Sequence, residues 1–404
     1  MDIFNKCKDF TRAKEIMDAG VYPFFKPLSG NDGARVEMDG RPVIMIGSNN
    51  YLGLTHDPRV IEASINATKK YGTSCSGSRF MNGTLDIHLE LEEKLAEFMN
   101  KEASLIFSTG FMANLGAISA LAGKNDYIIL DRACHASIYA GIQAATGATI
   151  KRYRHNDMDD LEHTISDINT EKGKLIVSDG VFSMEGDIVN LRRMTEIAEK
   201  YNARIYIDEA HGLGVLGDNG RGACEYIGLE DKVDIVMSTF SKSLGSIGGF
   251  VAGSQEVINY IKHSARALIF TAAPMPAATA TAIKTIEIIE EEPERLKRLS
   301  NISSFMHNSI KDMGFDIGHS NHTPIIPIFI RDDEKTLYFW KKLYDAGIFT
   351  NAVFSPAVPP DQALIRTSYM STHTDEDLNK ALEIFQKIGK KINIIWWIRR
   401  KLWK

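Results

Sequence analysis

No CxxC pair occurs among the four cysteines, Cys7, Cys75, Cys134 and Cys224, which lie far apart in 404 residues. That spacing offers neither a disulfide framework nor a zinc site; no metal centre is expected, and free thiols suit a reducing cytoplasm. No apolar run approaches the ~18 residues that a membrane-spanning helix requires. The opening stretch, "MDIFNKCKDFTRAKEIMDAG", mixes acids and bases without an apolar centre, so it is not expected to act as a secretory signal. Positive charge is not in excess either. The 47 Lys and Arg against 52 Asp and Glu leave a net −5, which removes the electrostatic case for nucleic acid as a main partner. Internal repeats and low-complexity linkers are also missing. What remains is a chain 44% hydrophobic and 25% charged, ordinary for a soluble globular protein and long enough for two or three domains.

Between about residues 100 and 255, short apolar runs alternate with longer amphipathic ones. "ASLIFSTG", "DYIILDRA", "KLIVSDG", "RIYIDEAH", "VDIVMSTF" and "GGFVAGS" read as strands buried on both faces, and "NLRRMTEIAEKYN" has helical spacing. This predicts an α/β fold with a mostly parallel sheet flanked by helices. Polar residues collect where the strands end, at Ser108 to Gly110, Asp131, Asp179, Asp208 and Ser238. Ligands of open α/β sheets bind outside the carboxyl ends of strands, so these positions should meet in one crevice. From residue 276 one long helix, "PAATATAIKTIEIIEEEPERLKRL", is expected to lead out of this domain. "TPIIPIFI" and "ALIRTSYM" then read as strands of a smaller α+β domain. The expected organisation is an N-terminal segment over 1–45, a large domain over 46–280, a small one over 281–390 and a basic aromatic tail over 391–404.

Within "STFSKSLGSIGGF", Lys242 stands among small hydroxyls and glycines between two apolar runs. Desolvating an ammonium is costly, so a lysine held there needs a chemical reason. Imine formation is one, because an amine with pKa near ~10.4 must be relieved of its proton before it is nucleophilic. A pyridoxal phosphate ring would need a carboxylate at a fixed strand end to keep its nitrogen protonated, and Asp208 meets that need. Its phosphate would need backbone N–H groups at a helix start and small hydroxyls, as at Ser108 to Phe111 and Ser241. Singly each has a plainer reading: a surface lysine in a glycine-rich loop, an aspartate capping a helix, a turn at "STG". The combination favours the cofactor. "HGLGVLG" imitates a dinucleotide fingerprint, but its third glycine, Gly217, runs into the turn cluster "DNGRG" where a fingerprint requires a helix.

"DEAHGLGVLGDNGRG" followed by "TFSKSLGSIGGFVAGS" resembles the α-oxoamine synthases, pyridoxal-phosphate enzymes of fold-type I. "SNNYLGL", "YGTSCSGSRFMNGTLDIHLELEEKLAEF", "DRACHASIYAG", "SDGVFSMEGD" and "LIRTSYMSTHT" extend the resemblance through nearly the whole chain. It implies that Lys242 holds the cofactor as an imine and later moves the Cα proton. Asp208 would pair with the ring nitrogen, His211 with the ring hydroxyl, and His135 would stack on the ring. Thr239, Ser241 and the N–H groups of Gly110 and Phe111 would hold the phosphate, with Ser183 near the cofactor. Thr271 would reach the phosphate of a neighbouring subunit, implying a homodimer with shared sites. Arg366, assisted by Asn50, would hold the substrate carboxylate. Plainer readings stand beside these: the histidines as satisfied core residues, Arg366 in a surface salt bridge.

Members of this family condense an amino acid with an acyl-CoA and release CO2 and CoA. "SCSGSRFMNGTLDIHLELE" and "PAVPPDQALIRTSYMSTHT" look most like those using serine and palmitoyl-CoA. Members that use glycine with acetyl-CoA, or that make 8-amino-7-oxononanoate, stay open, and a pyridoxal-phosphate aminotransferase is more remote. A catalytically dead partner subunit would lack the lysine kept here, and a transcription regulator of this fold would need a DNA-binding module. The tail, "INIIWWIRRKLWK", with Ile392, Ile395, Trp396, Arg399 and Trp403, has the basic, tryptophan-rich composition of an interfacial helix and is too short to span a bilayer. It reads either as peripheral contact on the cytoplasmic face of a membrane or as a terminal helix packed on protein.

Overall fold

All six apolar runs between residues 100 and 255 form strands of one sheet. In the computed structural model, which describes residues 2–31, 33–168 and 171–395, the chain divides into two units. One is Asn49–Asn301; the other joins Met1–Ser48 to Ile302–Lys404. The first is built on β1 (Ala103–Phe107), β2 (Asp126–Asp131), β3 (Thr149–Tyr153), β4 (Gly173–Asp179), β5 (Arg204–Asp208), β6 (Ile235–Thr239) and β7 (Gly249–Gly253). Their order in the sheet is β1-β7-β6-β5-β4-β2-β3. Only β7 pairs antiparallel with its neighbours; the other pairings are parallel. The central strands are buried along nearly their whole length, as expected where helices cover both faces.

β3 is the strand the apolar pattern misses. It lies at the sheet edge, and in "TIKRY" only Tyr153 is buried, so no hydrophobic run marks it. In parallel register Asp179 stands beside Asp208, and Asp208 beside Met237. This alignment brings the strand-end acids into one row. Three helices position the site: α1 (Gly110–Leu121) after β1, α2 (Ala136–Ala144) after β2, and α3 (Leu191–Tyr201) after β4. α1 packs by its apolar residues Ala113, Ala117 and Ile118 into a core shared with Ile128, Val177 and Met237.

The other unit has its own core. The hairpin Arg35–Met38 and Arg41–Met45 pairs with Ile348–Phe349, so the residues set apart as a segment over 1–45 share a sheet with chain from the far end of the sequence. Ile325–Phe329, Leu364–Ser368 and Asn351–Val353 form a second sheet, and Trp340, Phe339, Ile326 and Phe385 lie between these elements and the helix Asp375–Lys391. The long helix expected from residue 276 is two, Pro276–Glu291 and Glu294–Asp312. Pro293 divides them, because it has no N–H to donate and its ring crowds the preceding turn. After Lys391, Ile394 is buried, and Ile392 and Ile395 pack against the core of this unit. Trp396, Arg399 and Trp403 of the tail lie outside the described residues. No helix among the described residues is long and apolar enough to cross a membrane.

Candidate active site

Of the strand-end positions expected to meet in one crevice, Thr109, Gly110, Asp179 and Asp208 line a common cavity, and Ser108, Asp131 and Ser238 do not. A cavity of about 290 Å³ opens at the carboxyl ends of β4, β5 and β6 and the start of α1. Eight of the expected residues line it: Gly110, Phe111, His135, Asp208, His211, Thr239, Ser241 and Lys242. Lys242 is half-buried in the wall. Four lie elsewhere. Ser183 sits in the turn between β4 and α3, and Thr271 comes after the short helix Arg266–Ile269. Asn50 is buried and donates its amide to Thr55 Oγ1 at 2.8 Å. Arg366 is buried on the strand Leu364–Ser368 of the other unit.

One end of the cavity is built from backbone and hydroxyls. Thr109 caps α1, its Oγ1 accepting from Met112 N at 3.1 Å, so the free N–H groups of the first turn stay available to an anion. Gly110 is required by closeness: a Cβ there would lie 2.7 Å from both Cβ and Oγ1 of Thr239. The Thr239 hydroxyl donates to Gly248 O at 3.0 Å and stands 2.9 Å from Ser241 Oγ. A helix start, two hydroxyls and the Lys242 amine thus share one wall.

The opposite wall is a hydrogen-bonded array of buried groups. Asp208 Oδ1 accepts from Ala210 N at 2.9 Å, and its Oδ2 from Asn114 Nδ2 at 2.7 Å. The same amide donates to Ser137 Oγ at 2.8 Å, which is 2.7 Å from His135 Nδ1, and the Tyr206 hydroxyl donates to Asn114 Oδ1 at 2.8 Å. Asp179 lines the cavity beside Asp208 and receives a long bond, 3.4 Å, from His135 N. Burial, and then the neighbouring Asp208, pushes its carboxyl well above the usual carboxylate range. Burial lowers the pKa of His135, with Lys242 adding to the effect and Asp208 opposing it, so the ring is neutral near pH 7. The Tyr51 hydroxyl lies 2.6 Å from His211 Nδ1 and makes an edge contact with that ring.

Asn114, Ser137 and Tyr51 are site residues that sequence reasoning does not single out, whereas Asp179 is one of the strand-end acids expected in the crevice. Asn114 carries a signal, a lone amide in the apolar helix "GFMANLGAISAL". Ser137 and Tyr51 carry none, because a serine in the first turn of a helix and a tyrosine in a loop are ordinary. Glu209 of "DEAHG" is buried but faces away from the chemistry. It accepts from Ala223 N and Cys224 N at 2.9 and 2.8 Å, and its carboxylate fills the space beside Gly212 and Gly222, where any Cβ would collide with it. Gly212 of "HGLGVLG" therefore serves a turn around Glu209, while Gly214 and Gly217 lie against Ser243 and Glu225; the next helix begins only at Ala223.

Comparison with known proteins shows the family. Residues 41–385 match the family "Aminotransferase class I and II". A serine palmitoyltransferase of Sphingobacterium spiritivorum is 50% identical over 95% of this chain and 96% of its own. An 8-amino-7-oxononanoate synthase of Thermoanaerobacter pseudethanolicus is 42% identical over 96% of this chain and 98% of its own. Among solved structures, a serine palmitoyltransferase from S. paucimobilis with a bound PLP–myriocin aldimine superposes with a TM-score of 0.95 at 37% identity, covering 98% of this chain and all of that one. With a family match over most of the chain, and likeness from end to end to enzymes of this type, the protein belongs to the class I and II aminotransferase family and, within it, to the α-oxoamine synthases of fold-type I.

Proposed function

We propose that the protein condenses L-serine with palmitoyl-CoA, using pyridoxal 5'-phosphate, to give 3-ketodihydrosphingosine, CoA and CO2. The observation that carries this reading is a single cavity with Lys242, Asp208 and His135 in its wall and the start of α1 at one end; the 50% identity over nearly the full chain supports the substrate pair. The donor set fits the cofactor. N–H groups of Gly110 and Phe111 with the hydroxyls of Thr239 and Ser241 suit a phosphate, and a carboxylate held by two donors suits a ring N–H.

When bound, the cofactor supplies a carbonyl that takes an amine and a ring that withdraws electrons from the substrate Cα. Lys242 then has two tasks: to hold the cofactor through its Nζ, and to take and return the proton at Cα. Asp208 would keep the ring nitrogen protonated, His211 would hold the ring hydroxyl, and His135 would stack on the ring. Asn50 would help to hold the serine carboxylate until it leaves. The new bond joins serine Cα to the thioester carbonyl carbon, the C–S bond breaks, and the α-carboxylate departs as CO2. Ser183 stands near the cofactor, and Thr271 reaches the phosphate of a partner subunit in a homodimer with shared sites. The dimer is supported by exposed apolar side chains at the cavity mouth and on segments tied to it: Phe111 and Ile247 on the wall, with Phe80, Met81 and Phe270 near the bridge Ser78–Ala272. The tail beyond Ile395 would lie on the cytoplasmic face of a membrane; unchanged binding to anionic vesicles after deletion of residues 396–404 would refute that.

The deciding assay is CoA release by the purified protein with serine, glycine and alanine, each against acetyl-, pimeloyl- and palmitoyl-CoA. Release with serine and palmitoyl-CoA alone is expected. Release with alanine and pimeloyl-CoA instead would favour the 8-amino-7-oxononanoate reaction of the relatives at 42% identity. Lys242→Ala should abolish the imine absorbance of the bound cofactor, and its persistence would mean that another amine carries the group.

A further inference from the structure

His155 comes just after the edge strand β3 and lies outside the cavity wall. Its Nδ1 is 3.1 Å from Asp131 Oδ1 and its Nε2 is 3.2 Å from the Asp187 carboxylate. A neutral imidazole has one N–H, so a neutral ring would turn a lone pair on one of these carboxylates. For both contacts to be hydrogen bonds to carboxylates, both nitrogens must donate, which makes the ring a cation between two buried acids. The ionisable groups facing it are Asp131 at the end of β2, and Asp187 and Glu185 in the β4–α3 loop; the Phe182 ring meets it edge-on at 4.4 Å.

Asn156 completes the clasp. Its N donates to Asp131 Oδ2 at 2.6 Å, its Nδ2 to Asp187 Oδ2 and Ile188 O at 2.9 Å, and its Oδ1 accepts from Asn190 N at 2.9 Å. Asp131 also receives Ala133 N at 2.8 Å, in the turn that ends on His135. Asp187 in turn closes the β4–α3 loop, its carbonyl accepting from Phe182 N at 3.0 Å beside the bridge Val181–Ile188. Val181 and His135 both line the cavity. One charged ring therefore ties together two loops that each supply a piece of the wall.

We propose that His155 is a positioning residue for the reaction: with Asn156 it clips the Val181–Ile188 loop to the turn before His135 and sets where both stand against the cofactor. The second half of this inference rests on the cavity being the cofactor site; the first half does not. Arginine can donate to two carboxylates at once and keeps the charge, whereas glutamine has a single donor group and no charge.

The test compares wild type, His155→Gln and His155→Arg as full-length protein. Hydrogen exchange without cofactor reads the clip directly. Loss of a charge-assisted bond should speed exchange of amides in 181–189 and 132–137 by roughly tenfold or more in the Gln variant, with recovery in the Arg variant. With pyridoxal phosphate added, the Gln variant should bind it more weakly and show altered visible circular dichroism of the bound group, and displaced walls should lower kcat by on the order of 10- to 100-fold. Unchanged exchange in both segments overturns the clip. Faster exchange with unaltered cofactor affinity, dichroism and kcat overturns the positioning role and leaves a stabilising one. Failure of the wild type to bind pyridoxal phosphate would overturn the cofactor reading separately, while the exchange data still decide the clip.

Discussion

Replacing Asn114 with leucine keeps the size and removes the polarity of a side chain that is fully buried. Three hydrogen bonds vanish, to Asp208 Oδ2, Ser137 Oγ and from the Tyr206 hydroxyl. Ser137 keeps His135 Nδ1 as a partner at 2.7 Å. The Tyr206 hydroxyl and one Asp208 oxygen are left facing methyl groups, at about 1–3 kcal/mol for each stranded buried group, more where it is charged. The leucine returns about 1 kcal/mol of apolar burial, so Asn114→Leu should destabilise the large unit by about 3 kcal/mol. Urea unfolding with a slope near 3 kcal/mol/M would register this as a shift of about 1 M in midpoint. The cofactor offers a second readout. Asp208 held by Ala210 N alone is free to swing, and spectroscopic titration should show weaker retention of pyridoxal phosphate. A midpoint within about 0.2 M of wild type, with unchanged retention, would mean that the array around Asp208 is not what holds the carboxylate in place.

Asp179→Asn should leave cofactor affinity within about threefold, because burial already favours the neutral form of that carboxyl, whereas Asp208→Asn should cost far more; equal losses in the two titrations would contradict this division. Gly110→Ala drives a Cβ to 2.7 Å from Thr239, whose hydroxyl is tied to Gly248 O and Ser241, so the displacement, worth about 1–3 kcal/mol, falls on the phosphate donors. Weaker phosphate-dependent cofactor binding with an intact far-ultraviolet spectrum is expected. For pH, burial by itself would lower the pKa of His155, but hydrogen bonds to Asp131 and Asp187, with their charges, outweigh it and raise the pKa from its ordinary 6.5 to about 10. The folded state therefore binds the proton more tightly than the unfolded chain. That stability is complete below pH 6.5 and drains away as pH rises through 10. Melting temperature should fall more steeply across this window in wild type than in His155→Gln, and parallel slopes would show that the ring is not charged.

How much of the fold and site is legible in the sequence depends on burial. Strands covered on both faces announce themselves as apolar runs, and six do so; β3, with four of its five residues exposed, is invisible for the same reason. Strand ends carrying Asp179 and Asp208 meet in one crevice because parallel register puts them side by side, whereas Asp131, on the next strand, stays out of the cavity wall. The hairpin at 35–45 escapes assignment, since pairing between chain segments 300 residues apart leaves no local pattern. A helix running unbroken from residue 276 ignores Pro293. Groups that act through other groups are the hardest. Asn114, Ser137 and His155 matter because of what lies across from them, and a linear pattern does not show that.

The acids at the sheet's carboxyl edge show why such positioning groups are needed. Four carboxyls, Asp131, Asp179, Asp208 and Glu209, are buried within one edge, and a buried charge without partners is costly. Each is handled differently. Glu209 faces two backbone N–H groups. Asp131 faces the His155 cation and two N–H groups. Asp208 is held by an amide and an N–H. Asp179 receives one long bond, and burial pushes it well above the usual carboxylate range, as burial also pushes Glu209 upward against its two donors. A site that must present a single carboxylate at a fixed point cannot leave its neighbours charged and unpaired, because repulsion at low dielectric would shift whichever was least restrained. Asp179, on β4, stands directly beside Asp208 on β5, with Asp131 one strand further out on β2, and Asn114 with Ala210 fixes the two oxygens of Asp208. The selectivity of the site for a ring N–H comes from this distribution of partners as much as from Asp208 itself.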